Sequence, residues 1–211
     1  MAISRDNVVT WIKNYAQVIE ENNDLLTELD RQIGDADHGA NMNRGFKAVL
    51  TKLPANEDKD ISTVLKAVAM TLLSTVGGAG GPLYSTIFME AGKVLGPKME
   101  FGLADWYAAL QAATTGVANR GKALPNDKTM LDALYPALEA LKLAVEKDLP
   151  IPEGLSASAE AARQGMIATI PLVAHKGRAS YLGERSAGHQ DPGATSTFLL
   201  LDTAAKAWAD C

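Results

Sequence analysis

Apolar residues recur at three- and four-residue spacing along almost the whole chain, the signature of helices with one buried stripe. Val8, Ile12, Tyr15, Val18 and Ile19, continued by Leu25, Leu26 and Leu29, predict one long first helix from about Ser4, ending at an acidic cluster. Met42, Phe46, Val49, Leu50 and Leu53 predict a second, stopped by Pro54. Ile61, Val64, Leu65, Val68, Leu72, Leu73 and Val76 form a third, and Leu83, Ile87, Phe88, Ala91, Val94 and Leu95 a fourth that closes at Gly96-Pro97. A fifth runs from about Leu103 through Trp106, Tyr107, Leu110, Ala113 and Val117 to Arg120-Gly121, and a sixth carries Met130, Leu131, Leu134, Leu138, Leu141 and Val145. Pro136 inside that pattern predicts a kink or a late start. A seventh is expected over 152–173 and an eighth over 193–209. No stretch alternates with period two, so the chain reads as all-α, with about eight helices.

Short connections make successive helices antiparallel, giving an eight-helix barrel or bundle whose loops gather at two ends. The loops after helices one, three, five and seven then share one end. They carry Asp30 to Asn41, Gly77 to Pro82, Gly121 to Thr129 and His175 to Gly193, which hold every glycine-rich or charge-rich loop of the chain. The opposite loops, around 54–60, 96–102 and 148–152, read as plain turns. The asymmetry places a site at the first end, and the long polar loop between helices seven and eight is of the kind that usually serves function.

Composition narrows the possibilities. With 211 residues, 47% of them hydrophobic, the chain is long enough for one substantial core, and a single domain over 1–211 is expected. Twenty basic against 25 acidic residues give a net charge of −5, so there is no general basic field for nucleic acid or anionic lipid, and any anionic ligand needs a local site. The one cysteine, Cys211, excludes an intrachain disulfide and fits a reducing compartment; the cytoplasm is the default expectation. No apolar run approaches the ~20 residues of a membrane span.

The candidate chemistry is concentrated in Asp30, Asp35 and Asp37. Carboxylates this close repel one another unless a cation or several donors lie between them, and an all-oxygen set suits a hard metal such as magnesium, which usually completes its shell with substrate phosphate. The plain alternative is a solvated acidic turn. The run Gly77-Gly78-Ala79-Gly80-Gly81 allows backbone N–H groups close to an anion at a helix start, or is merely a flexible link. Neither a P-loop nor a Rossmann turn is present. Asn41 is a helix cap or a ligand contact, and His38 a phosphate donor or a polar loop residue. Arg178 has the planar fork suited to phosphate. Asp191 is an N-cap or a metal-linked carboxylate, and it is also placed to orient His189 as a phosphohistidine. Met130 with Gly121 can border a flat apolar base, whereas Trp11, Trp106 and Trp208 read as core or partner surface.

Taken together, Gly34-Asp35-Ala36-Asp37-His38-Gly39-Ala40-Asn41-Met42-Asn43-Arg44-Gly45, the Gly77 to Pro82 loop, the stretch from Lys176-Gly177-Arg178 to Ser186, and His189 to Ala194 resemble the nucleotide-binding L subunit of dihydroxyacetone kinase. The resemblance covers essentially the whole chain, with several motifs in the same order. It implies an antiparallel eight-helix barrel holding ADP and two magnesium ions in a pit at one end. By matching position, Asp30, Asp35 and Asp37 are the implied magnesium ligands, and His38, Gly39, Ala40 and Asn41 the phosphate contacts. Ala79 and Gly80 hold phosphate, Gly121 and Met130 border the adenosine, and Arg178 with Asp191, Pro192 and Gly193 closes over the nucleotide. The family often carries serine where this chain has Gly80, so a hydroxyl contact is missing while backbone donation is not.

The resemblance further implies phosphoryl transfer to dihydroxyacetone held covalently on a separate K subunit, with no catalytic residue required from this chain. A free-standing L chain is similar to the phosphotransferase-system type. There, bound ADP or ATP is a retained prosthetic group, recharged by a phosphohistidine on an M subunit, with phosphoenolpyruvate the ultimate donor. Two alternatives stay open: the L component of a kinase that exchanges ATP, and a regulatory module engaging a transcription factor.

Overall fold

The computed structural model describes residues 2–211. Nine α-helices carry the fold: α1 (Arg5–Glu21), α2 (Asn23–Ile33), α3 (His38–Lys52), α4 (Ile61–Thr75), α5 (Gly80–Leu95), α6 (Leu103–Gly121), α7 (Leu131–Glu146), α8 (Ile151–Ala168) and α9 (Pro192–Ala207). From α3 to α9 each helix packs on the next, and α9 returns to α1, which also packs on α3. With α2 continuing α1, the result is a closed barrel of eight helical positions, as the apolar periodicity predicts. No helix among the described residues is long and apolar enough to cross a membrane.

Local chemistry sets the boundaries. Ser4 caps α1 by accepting from the Asn7 amide (3.2 Å), while the Asn7 side chain accepts from the Ser4 amide (2.9 Å). Asp60 caps α4 through the Thr63 amide (2.9 Å), and Asp191 caps α9 through the Ala194 amide (2.7 Å).

The structure departs from the sequence expectations in five places. The single first helix is two, divided at Asn22 (φ −100°, ψ 11°), whose side-chain amide donates to Val18 O (2.8 Å) and so competes with the helical ladder. Beyond the break Leu26 stays buried but Leu25 is half exposed. Two-residue strands, β1 (Ile3–Ser4) and β2 (Glu100–Phe101), pair antiparallel where no strand was expected; they are too short to show alternation. The seventh expected helix ends at Ala168 rather than near 173. Residues 178–186, expected as loop, wind into 3₁₀ turns interrupted at Gly183 (φ 53°).

The fifth departure concerns Pro136: of the kink or late start expected from it, the late start does not occur, because α7 begins at Leu131 and carries Pro136 inside it. A proline there cannot donate to the carbonyl of Asp132. Helix α8 comes in against that same carbonyl at Gly165, where any Cβ would collide with Asp132 O, so the two anomalies are one close helix contact.

One continuous apolar core runs through the barrel. At the end holding both termini it is aromatic: Trp11 packs against Phe88, Trp106 and Trp208 with ring centroids 5.1–5.7 Å apart, and Phe101 joins Trp106 and Trp208. The indole N–H groups of Trp11 and Trp208 are satisfied, by Leu200 O and Asn7 O respectively, each at 3.0 Å.

Candidate functional site

At the opposite end the barrel opens into a cavity of about 790 Å³. Its wall is drawn from the four loops that helix counting placed together, 30–41, 77–82, 121–129 and 175–193, and from residues adjoining them. A wider depression of about 970 Å³ lies on the flank between α5 and α6, lined by Glu90, Gln111, Asn119 and Arg120 among others, but it is open and has no acidic cluster.

Helix α2 delivers Asp30 near its last turn, and the chain doubles back through Gly34 to start α3. The turn is tight because Gly34 N donates to Asp30 O (2.5 Å), and a Cβ on Gly34 would strike Asp30 Oδ1. Asp30 Oδ2 accepts from the amides of Asp37 (2.8 Å) and His38 (3.1 Å), locking the acidic turn to the helix behind it. Its other oxygen stays free of these bonds. One carboxylate oxygen each from Asp30, Asp35 and Asp37 lies within 4.8 Å of the others. Three hard donors gathered on a fixed turn, with no sulfur or ring nitrogen among them, fit a magnesium ion. Arg178 reaches over the mouth to pair with Asp35 (Nε–Oδ2 3.1 Å).

Facing the carboxylates, Gly77 to Gly80 lead into the N-terminus of α5, which presents unpaired amides and a positive dipole end. Gly78 takes φ +62°, and a Cβ on Gly77 would crowd the Asn41 amide at 2.9 Å. Asn41 is fixed in turn: its Oδ1 accepts from Arg44 Nη2 (2.6 Å), which leaves its NH₂ as the group free to donate. His38 sits beneath. Its Nε2 is 2.8 Å from Ser196 Oγ, which accepts from the buried Tyr84 hydroxyl (2.7 Å), and Tyr15 donates to Ser196 O (2.9 Å). Burial lowers the His38 pKa despite the nearby Asp30 and Asp37, so the ring is neutral at pH 7. Burial likewise pushes the hydroxyls of Tyr84 and Tyr15 up.

Most residues singled out from sequence line this cavity: Asp30, Asp35, Asp37, His38, Asn41, Ala79, Gly80, Gly121, Met130, Arg178, Asp191, Pro192 and Gly193. Gly39 and Ala40 do not. Gly39 is buried against α2, where a Cβ would meet Asn23 O, and Ala40 is exposed. His189 is bound through Nδ1 to Gln32 Oε1 (3.1 Å) rather than oriented by Asp191, whose carboxylate is turned to the Ala194 amide. Burial pushes the Asp191 carboxyl up to about 7, with further repulsion from Asp132 and Asp30.

Lys128 and Tyr84 also line the cavity and Thr169 and Ser196 brace it from behind, and none of the four stands in a recognisable sequence pattern. Lys128 is 1% exposed and donates to backbone carbonyls only. The one signal available was a lysine in a Pro-Asn-Asp-Lys turn at the polar end, which reads equally well as solvated charge.

A closed all-α barrel with carboxylates facing a glycine-rich helix start across one pit defines a class: a phosphate-binding module built without a P-loop. Comparison with known proteins makes the class specific. Residues 32–206 match the DAK2 domain. The ADP-binding subunit DhaL of the PEP-dependent dihydroxyacetone kinase of Escherichia coli is 47% identical over 207 residues, spanning 98% of this chain and 99% of that one. The ADP-binding subunit DhaL of the PTS-dependent enzyme of Lactococcus lactis is 39% identical, over 94% of this chain and 95% of its own. In solved structures, the dihydroxyacetone kinase of C. freundii in complex with AMP-PNP and Mg²⁺ superposes with a TM-score of 0.68 at 26% identity. That match covers 96% of this chain and 33% of that one. The chain belongs to the DAK2 domain family, alongside the ADP-binding DhaL subunits of PEP- and PTS-dependent dihydroxyacetone kinases.

Proposed function

We propose that this chain holds ADP or ATP in the pit and passes its terminal phosphoryl group to dihydroxyacetone carried by a separate K subunit. The observation that carries the reading is the convergence of Asp30, Asp35 and Asp37 with the Gly77–Gly80 helix start on one cavity, in a relative of subunits described as ADP-binding. The complex of the C. freundii enzyme with AMP-PNP and Mg²⁺ supports both ligands.

In this reading Asp30, Asp35 and Asp37 hold two magnesium ions, which when bound neutralise phosphate charge and fix its geometry. The chain's own groups do the rest. Asn41 and His38 donate to phosphate oxygens, His38 as a neutral ring with its one proton on Nδ1 and Nε2 accepting from the Ser196 hydroxyl, and the amides of Ala79 and Gly80 receive phosphate at the α5 terminus. Gly121 and Met130 form the flat apolar border of the base. Arg178 and the Asp191-Pro192-Gly193 turn close the mouth, Arg178 being available to phosphate once Asp35 engages a metal. Phosphoryl transfer asks a protein mainly for positioning and charge neutralisation, so no general base is assigned to this chain.

Recharging of the nucleotide by a phosphohistidine M subunit, with phosphoenolpyruvate as ultimate donor, completes the proposed cycle, which runs in the cytoplasm. Protein purified without denaturation is expected to carry adenine nucleotide and magnesium at stoichiometry, read by absorbance and metal analysis after denaturation. A preparation without nucleotide that also cannot be loaded with ADP and magnesium sinks the reading. Phosphoryl transfer on adding K subunit and dihydroxyacetone separates a transferase from a purely regulatory module, and nucleotide exchange within minutes points to an ATP-exchanging kinase instead.

A further inference from the structure

The segment 173–190 arches over the pit and carries Arg178 and Tyr181 on its lining. Its own apolar support is small: Ala174, Ala179 and Leu182 gather on Ile33 of α2. What holds it down is polar and lies at its two roots. The chain leaves α8 through Thr169, Ile170 and Leu172 and returns to α9 through His189, and the Lys128 ammonium sits between these strands of chain. Nζ lies within hydrogen-bond reach of Thr169 O (2.8 Å), Ile170 O (3.3 Å), Leu172 O (3.0 Å) and His189 O (2.5 Å), its three N–H groups shared among the four acceptors. All four partners are backbone carbonyls and none is a carboxylate. A buried charge is tolerated only where polar groups replace its water, and here four carbonyl dipoles do so.

The residue is held in position for this. Lys128 has φ +63°, a conformation costly for a side-chain-bearing residue, and its turn is fixed by Asp132, which accepts from the amides of Asn126 (2.5 Å) and Thr129 (2.8 Å). Further bonds knit the same place: Asp191 N donates to Thr169 Oγ1 (3.0 Å), Gly188 N to Ile170 O (2.7 Å), and His175 N to Asp127 O (3.1 Å). Lys128 and its neighbours in sequence, Thr129 and Met130, all line the pit. The ammonium therefore joins the proposed base-binding wall to both roots of the overhanging segment.

We infer that Lys128 is a tethered monovalent cation, a positioning residue whose ammonium clamps both roots of the 173–190 segment and so sets how slowly nucleotide leaves the pit. The inference rests on the nucleotide reading above. Carbonyl cages of this kind also accept free potassium or ammonium ions, which makes the role separable from ordinary packing. With ADP and magnesium loaded, Lys128→Met is expected to release labelled ADP at least about tenfold faster than the unmodified protein, since four carbonyl acceptors, one buried and three partly buried, lose a charged donor. In Lys128→Ala, added propylammonium or potassium is expected to slow release again, with no effect on the unmodified protein.

Unchanged release in a folded Lys128→Met overturns the inference, as does accelerated release in Lys128→Ala that neither cation slows. Should neither variant fold, acetylation of the unmodified protein, followed by mass spectrometry, provides the test. Lys128 is expected to be protected with ADP and magnesium bound and to react at least about tenfold faster once they are removed, because opening of the roots exposes it. Equal protection in both states overturns the inference. A parent chain that takes up no ADP with magnesium instead defeats the nucleotide reading itself, and does so before any variant is made.

Discussion

At the terminal end of the barrel, Trp11, Trp106, Trp208, Phe88 and Phe101 fill the space between helices, and the indole N–H groups of Trp11 and Trp208 have partners. At the other end the same helices stop short of one another. The gap is walled by carboxylates, glycines and backbone amides, several of them held in positions that cost stability, such as the buried Asp191. The difference shows where folding free energy is made and where it is given up. One end contributes apolar burial; the other keeps unsatisfied charge and backbone donors ready for a ligand that supplies the missing partners.

The largest test of this contrast is at the aromatic end. Trp208→Ala is expected to cost about 3–5 kcal/mol in urea unfolding, with nucleotide affinity of the folded fraction unchanged. A small loss would mean that this end is not the mainstay of the fold. Next, Asp37→Ala is expected to weaken magnesium-dependent ADP binding at least about 100-fold while helical circular dichroism is retained. At saturating ligand the parent protein's extra stability, roughly 2.7 kcal/mol at a hundred times Kd, should vanish in the variant. Retention of stoichiometric nucleotide would remove Asp37 from the metal site.

The third test uses pH. Because burial raises the folded Asp191 pKa to about 7, the folded state favours the protonated acid, and this residue's unfavourable contribution grows as pH rises from the ordinary carboxylate range to about 7 and is complete above it. Asp191→Asn, which keeps an acceptor for the Ala194 amide, is therefore expected to stabilise the nucleotide-free protein by about 2 kcal/mol at pH 8 and by little at pH 4. Equal effects at both pH values would contradict the burial argument. The smallest effect is expected from Tyr181→Ser. That ring is 86% exposed at the mouth, so its loss should change unfolding free energy by less than about 0.5 kcal/mol, against the several lost with Trp208.

The outline of the fold was legible because a barrel of amphipathic helices writes its core into a 3.6-residue period, and because odd and even loops must fall on opposite ends. Asp30, Asp35 and Asp37 were legible since three carboxylates in one turn are conspicuous. Other features were not written in side chains. The break at Asn22 leaves Ile19 and Leu26 both inward, so the periodicity runs on across it. Gly39 and Ala40 sit in the motif but belong to the α2–α3 contact and the outer surface, because a helix start turns its residues in different directions. Lys128 was invisible for a different reason: its partners are backbone carbonyls from residues 41 to 61 positions away, and a carbonyl has no letter in the sequence.

The pairing of Ile3 with Phe101, the bond from Trp208 Nε1 to Asn7 O, and the burial of Cys211 place both ends of the described residues beside the aromatic cluster. Anything attached to either end hangs from the face remote from the mouth. Immobilising the protein by a terminal tag therefore presents the pit outward in a uniform orientation, and a carrier domain joined there needs a linker long enough to pass the full length of the barrel before it can reach the nucleotide.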